Sequence, residues 1–296
     1  MRAVQVTRFG GPDVLRLADV ERPSPISTEV LVRVLAAGIN PVDAKTRRGE
    51  GVSRWVGQPP FVPGWDFTGE VVEMGYGVTR FKVGDMVFGM PRFPRAAGAY
   101  SEYVTAPSHQ LAFMPRGLSP VEAAALPLAA LTAWQCLVDV ADVDEETTVL
   151  IHGASGGVGD LAVQIAKFFA ACVVTTGRQD RAALSKRDVD VAVDLVGGED
   201  TRALLDTLRA GGLLLAVADG APDAVKVAAA HRGIDVVEPL VEPDGSELEE
   251  IGRLVKTGRL KVKVEEVFPL ERAAAAHERL ERGGVRGKLV LEVSRR

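Results

Sequence analysis

Gly153, Ala154, Ser155, Gly156, Gly157, Val158 and Gly159 follow the apolar run "TTVLIH" and open a stretch in which apolar residues recur on one helical face, at Val158, Leu161, Ala162, Ile165, Ala166 and Phe169. Glycines at such a turn let the backbone approach a pyrophosphate, whose charge meets free N–H groups and the positive end of the helix. The alternative is a turn with a purely structural role. Asp160 suits the helix dipole but must point away from phosphates. His152, just before the loop, has the chemistry of an acid or base, although a packed, hydrogen-bonded residue at a strand end is the commoner case.

The next apolar run, "CVVTTG", ends in Thr176 and Gly177 and is followed by Arg178. An acidic residue there would bond ribose hydroxyls and repel a 2′-phosphate, whereas an arginine grips that phosphate with two donors. The pattern favours NADPH over NADH, the alternative being that Arg178 is a solvated surface side chain.

A parallel sheet is needed to hold these residues. Strand, glycine turn, helix and strand make one βαβ unit, and further strands are predicted at "VDVAVDLV", "GGLLLAVA" and "IDVVEPLV". Upstream, short alternating runs such as "AVQV", "VLVRVLAAGI" and "TGEVVEM", bounded by glycine and proline, predict an antiparallel, barrel-like unit. A helical run capped by Ser119, with Pro120 at its first position, places a boundary near residue 120, and a second follows near 260. The expected segments are 1–120, 121–260 and 261–296.

A chain of 296 residues, 47% hydrophobic, has material for two domains. Its net charge of -5, without a long run of one sign, argues against nucleic-acid binding and for small-molecule partners. Two cysteines, Cys136 and Cys172, exclude a disulfide framework and fit a reducing cytoplasm. The start lacks a signal-peptide core, and the longest apolar stretch, broken by Pro127, is too short to span a bilayer, so a soluble protein without a membrane partner is expected.

Several motifs in order, "AAGINPVDAKTRRG", "PGWDFTGEVVEMG", "VTRFKVGDMVFG", "AALPLAALTAW", "VLIHGASGGVG" and "RGKLVLEV", resemble the medium-chain dehydrogenase/reductase superfamily, in its zinc-free quinone oxidoreductase branch. The likeness covers nearly the whole chain. It implies an α/β protein: a GroES-like β-barrel catalytic domain built from both chain ends, with a Rossmann-type doubly wound parallel sheet inserted between them. A homodimer is also expected.

In zinc-dependent relatives a cysteine ligand stands at the place of Asn40 and a histidine ligand at the place of Trp65. An amide is a poor zinc donor and indole has no available lone pair, so a metal-free site is expected. By the same resemblance Asn40 and Thr132 lie near the nicotinamide and ribose, while Val217, Ala218, Leu240, Val241, Gly287 and Lys288 border the cofactor. Asp43 and Lys45 follow Asn40 closely enough to share the cleft. Lys45 is a candidate stabiliser of a developing oxyanion, against the commoner solvated lysine. Trp55 and Trp65 would wall a flat acceptor or else pack in the core, and Tyr103 is a candidate proton donor.

A quinone or conjugated enone delocalises incoming charge and accepts hydride without a Lewis acid. The resemblance therefore implies an NADPH-dependent oxidoreductase acting on such acceptors, with an enoyl reductase as near neighbour. A protein that holds NADPH as a sensor or accessory factor is the alternative of a different class. The connection after "CVVTT" departs from the family pattern: about 12 residues, "GRQDRAALSKRD", stand where a βαβ step needs roughly 30. This predicts five parallel strands, with "CVVTTG" at the edge and a thinner wall around the adenine.

Overall fold

The computed structural model describes residues 1–176 and 188–294. The chain divides into two compact units: Met1–Leu131 with Glu242–Arg296, and Thr132–Val241.

The first unit opens with an antiparallel pair, β1 (Arg2–Val6) and β2 (Leu15–Asp19). Then come β3 (Glu29–Ile39), α1 (Pro41–Arg47), α2 (Ser53–Val56), β4 (Phe67–Met74), β5 (Met86–Gly89), β6 (Tyr103–Pro107), β7 (Leu111–Phe113) and α3 (Pro120–Ala124). Helix α4 (Pro127–Trp134) crosses into the second unit. After the second unit the chain returns as residues 242–296, whose strands pair into the first unit's sheet.

Strand β3 is apolar along almost its whole length and is buried nearly throughout, as a central strand covered on both faces must be. It pairs antiparallel with β4 and β6, and the curled sheet continues through β5 to β7. Gly69 permits this curl, since a Cβ there would lie 2.2 Å from the Arg33 carbonyl oxygen at an irregular step in the β3 and β4 register. Val30, Val32, Val34, Phe67, Val71 and Val87 fill the interior.

The second unit holds β8 (Thr148–His152), α5 (Gly157–Phe168), β9 (Cys172–Thr176), β10 (Val189–Asp194), α6 (Asp200–Leu204), β11 (Leu208–Ala216), α7 (Asp223–Ala230) and β12 (Asp235–Val237). Among the described residues its sheet has five parallel strands in the order β12, β11, β10, β8, β9, so the "CVVTTG" strand lies at the edge as the short connection predicts. Gly177 and Arg178 lie outside the described residues. On α5, Leu161, Ala162, Ile165 and Ala166 are buried, the face read from the sequence.

The returning segment carries α8 (Gly245–Lys256), β13 (Val264–Pro269), α9 (Ala273–Glu281) and β14 (Lys288–Glu292). Strand β14 pairs antiparallel with β3, Leu289 opposite Ile39, which sets Lys288 beside the residue that follows β3, Asn40. The unit boundaries differ from those expected at residues 120 and 260. Helix α3 packs on β3, β4 and β14, and α8 packs on β7, so both belong with the barrel-like unit. A change from strand to helix rhythm marks a change of element, and here these helices close the barrel. No helix among the described residues is long and apolar enough to cross a membrane.

Candidate active site

Asn40 follows β3 and caps α1, with Pro41 at the first helical position. Its backbone N–H donates to Asp43 Oδ2 at 2.7 Å, closing one half of a capping box. Its side chain turns elsewhere. Asn40 Nδ2 donates to Asp66 Oδ2 at 2.9 Å, and Lys288 Nζ donates to Asn40 Oδ1. The second Asp66 oxygen, Oδ1, accepts from the Leu128 backbone N–H at 2.8 Å, and Lys288 Nζ stands 3.6 Å from Asp66 Oδ2. All three side chains are buried.

Burial pushes the Asp66 carboxyl up and the Lys288 ammonium down, and each is opposed by the other's charge. Donors converge on both Asp66 oxygens, an arrangement suited to the carboxylate and hence to an ion pair with Lys288. Gly38 makes room for it: a Cβ there would lie 2.9 Å from the Asp66 Cβ.

A second buried chain of polar groups lies behind Asn40. Tyr100 Oη donates to Asp43 Oδ2 at 3.2 Å, His277 Nε2 lies 3.2 Å from Tyr100 Oη, and Arg47 Nη1 lies 3.4 Å from His277 Nδ1. Arg47 also pairs with Glu281. Because Arg47 only donates, Nδ1 must accept and Nε2 carry the proton, so the bonds run in one direction from Arg47 to Asp43. Burial pushes Asp43 up to about 7. Burial and the neighbouring Arg47 and Arg48 push His277 down to about 3, which keeps it neutral. The Tyr100 phenol is raised well above its usual value by burial and by Asp43.

In the second unit the glycine loop joins β8 to α5. A Cβ on Gly159 would lie 2.3 Å from the Gly153 carbonyl oxygen, so this glycine is required for helix and loop to touch. Gly156, the N-cap of α5, could carry one instead: a Cβ there would meet its nearest neighbour, the Gly153 carbonyl oxygen, in ordinary contact at 3.5 Å. His152 is buried with Nδ1 3.0 Å from Thr176 Oγ1, the packed role rather than that of a free acid or base. Val217 and Ala218 donate their backbone N–H groups to the Asp194 carbonyl at 3.0 and 3.3 Å, while Asp194 Oδ1 accepts from Val196 and Gly197. These residues, with the glycine loop and Thr176, lie at the carboxyl ends of the parallel strands, where open α/β sheets bind ligands.

Other expectations from the sequence are met differently. Trp65 is 2% exposed, edge-on to Phe93 with its Nε1–H on the Arg95 carbonyl at 2.7 Å, and is therefore core and not wall. Trp55, on α2, is 40% exposed and stacked by Arg54. Tyr103, at the start of β6, lies under the Arg22 guanidinium, and the fully buried tyrosine is Tyr100, in the segment before it. Asp43 is fully buried in its cap, and Lys45 is half-buried on α1. Gly287 has φ 103° and a Cβ there would lie 2.5 Å from the Lys263 carbonyl oxygen, so the position requires glycine. Leu240 is exposed and Val241 buried, while Thr132, on α4, is buried. His277 and Arg47 were not singled out from sequence, and Asp66 was given no role there. Only Asp66 carried a signal, as neighbour of the non-ligand Trp65.

The donor set does not fit zinc. The Asn40 oxygen is occupied by Lys288, the Trp65 indole only donates, and an ammonium stands against Asp66. Among the described residues no group of three or more His, Cys, Asp or Glu could hold a metal ion.

Residues 27–116 match the alcohol dehydrogenase GroES-like domain, and residues 170–291 match a family described as zinc-binding dehydrogenase. The quinone oxidoreductase of Lama guanicoe is 30% identical over 98% of this chain and 97% of its own, in an alignment of 327 positions, longer than this chain of 296. The solved quinone oxidoreductase of Coxiella burnetii superposes with a TM-score of 0.92 at 35% identity over 99% of both chains. A mycobacterial protein solved with NADPH superposes at 0.88, with 28% identity over 99% of this chain and 100% of its own. The chain thus belongs to the medium-chain dehydrogenase/reductase superfamily of oxidoreductases, in its quinone oxidoreductase branch.

Proposed function

We propose that this protein reduces quinones or α,β-unsaturated carbonyl compounds with NADPH and without zinc. The observation that carries the reading is the buried Lys288, Asn40 and Asp66 set, in which Asn40, at the place of a cysteine ligand in zinc-dependent relatives, is already bonded to an ammonium and a carboxylate. The acceptor must then be electrophilic without a Lewis acid, which selects conjugated carbonyls over alcohols and simple aldehydes.

Gly153, Ala154, Ser155, Gly156, Gly157, Val158 and Gly159 would hold the pyrophosphate at the N-terminus of α5, with Thr176, Val217 and Ala218 along the same strand ends. NADPH, when bound, supplies the hydride. Arg178 is assigned the 2′-phosphate from its sequence position. The mycobacterial relative solved with NADPH supports this cofactor. Small-molecule acceptors, a cytoplasmic location and a homodimer complete the reading.

The test is NADPH oxidation across a panel of quinones and enones, beside an enoyl thioester for the neighbouring enoyl reductase activity. Turnover with quinones or enones is expected, with NADPH preferred over NADH and Arg178→Ala removing most of that preference. Tight NADPH binding with no turnover on any acceptor would instead select a sensor or accessory protein.

A further inference from the structure

The atoms that Asn40 can offer a ligand are decided by two charged neighbours. Lys288 Nζ has only hydrogens to give, so it must meet the amide oxygen; the Asp66 carboxylate has only lone pairs, so it must meet the amide nitrogen. An asparagine amide is otherwise free to turn over, exchanging a donor for an acceptor at the same place. Here the exchange would set ammonium against NH2 and carboxylate against carbonyl, both repulsive. Lys288 faces Oδ1 and Asp66 holds one Nδ2–H, which leaves the second Nδ2–H as the donor that Asn40 can offer.

We propose that Lys288 and Asp66 are positioning residues that hold the Asn40 carboxamide in the donor orientation, so that Asn40 meets substrates bearing a carbonyl oxygen and disfavours those bearing a hydroxyl hydrogen. This deepens, and rests on, the reading of the protein as a reductase of conjugated carbonyls. Lys288 thereby acts through Asn40. Asp66 extends the same restraint to α4: its other oxygen holds the Leu128 N–H, one helical turn before Thr132.

The charged and titratable groups around the pair are Asp43 from α1 and Tyr100 from the segment before β6; Asp43 is coupled to both members, and Tyr100 to Asp66. Removing Lys288 leaves Asp66 buried without its counter-charge, so its carboxyl rises further and takes a proton as pH falls. A protonated Asp66 can donate to the amide oxygen, and the Asn40 orientation is lost. Lys288→Met should therefore lower kcat about tenfold or more, leave KM for NADPH within about twofold, and add an acid limb to the kcat profile that wild type lacks. Lys288→Met combined with Asp66→Asn buries no unpaired charge; it should show the same loss of kcat without the new limb.

An equilibrium measurement needs no turnover. Binding of a redox-inert aryl ketone and of its matching carbinol, followed by tryptophan fluorescence without cofactor, should favour the ketone in wild type and lose that preference in the double variant. A folded double variant with wild-type kcat and an unchanged ketone preference overturns the proposal. If wild type reduces no acceptor but keeps the ketone preference, the functional reading falls and the positioning role stands.

Discussion

The Tyr100 hydroxyl donates to Asp43 Oδ2 across 3.2 Å, joining residues 57 positions apart in the interior of the barrel-like unit. Asp43 in turn holds the Asn40 N–H, so the tyrosine supports the start of α1 through one intermediary. Tyr100→Phe deletes the donor to Asp43 and strands the proton on His277 Nε2. Leaving buried polar groups unpaired costs about 1 to 3 kcal/mol. Urea unfolding should show a midpoint lowered accordingly at unchanged slope, with NADPH affinity preserved because the glycine loop belongs to the other unit. A variant as stable as wild type would remove the support role.

Asp43 and His277 should impose opposite pH dependences on stability. Asp43 rises from 3.8 to about 7 on folding, so the unfolded chain releases this proton first and stability is lost as pH climbs from about 4 to about 7. His277 falls from 6.5 to about 3, so the unfolded chain takes up a proton first and stability is lost as pH falls from about 6.5 to about 3. Over the shared window the two slopes cancel in wild type. His277→Gln keeps an acceptor for Arg47 and a donor for Tyr100; relative to wild type its stability should decline as pH rises from about 4.5 to about 6.5. Asp43→Asn should show the reverse difference. Urea midpoints of all three proteins that run parallel across this range would contradict the pairing.

How far these contacts could be read in advance depends on their range along the chain. Among the described residues, the five parallel strands, the edge place of β9 and the packed role of His152 were legible, because glycine spacing, helical period and connection length are local properties. The position "GWDFTG" was legible as a departure from a zinc site. That Trp65 is core while Asp66 is the polar member could not be read, because their partners, Phe93 and Arg95 for one, Leu128 and Lys288 for the other, arrive from distant segments. Asn40 and Lys288 are 248 positions apart, and only the pairing of β14 with β3 brings them together. The helices at the unit boundaries were misplaced for the same reason: their own sequences do not say which sheet they cover.

The purified protein should contain no stoichiometric zinc. At the ligand positions Asn40 offers only an amide oxygen already bonded by the Lys288 ammonium, and Trp65 only an N–H held by the Arg95 carbonyl. Elemental content near zero, with activity indifferent to a chelator, is expected. One tightly held zinc per chain, with activity lost on chelation, would falsify the metal-free reading.

Two glycines of the nucleotide loop should respond differently to alanine. At Gly159 a methyl group would stand 2.3 Å from the Gly153 carbonyl, so loop or helix must move, and both thermal stability and NADPH binding should fall. At Gly156 the same methyl meets nothing closer than 3.5 Å and the fold should tolerate it, yet it stands at the helix N-cap where the pyrophosphate would approach. Gly156→Ala is therefore expected to melt near wild type while binding NADPH at least about tenfold more weakly. Unchanged affinity in Gly156→Ala would mean that the pyrophosphate lies elsewhere.

The edge position of β9 bears on which half of the cofactor is held less firmly. In a sheet with a further strand beyond this edge, the added strand and its helix help to enclose the adenosine end; among the described residues β9 has β8 on one side only, and Cys172 and Thr175 are exposed. Leaving about 60 Å² of an adenine face in water forfeits roughly 1.5 kcal/mol, about tenfold in affinity. The loss should fall on the adenosine half. Isothermal titration should give adenosine 2′,5′-bisphosphate a dissociation constant at least about tenfold weaker than that of the Lama guanicoe relative, whose alignment of 327 positions exceeds this chain's 296 residues, while reduced nicotinamide mononucleotide binds both proteins alike. Submicromolar NADPH binding, with adenosine 2′,5′-bisphosphate held equally well by the two proteins, would show that the shortened connection leaves the adenine wall intact.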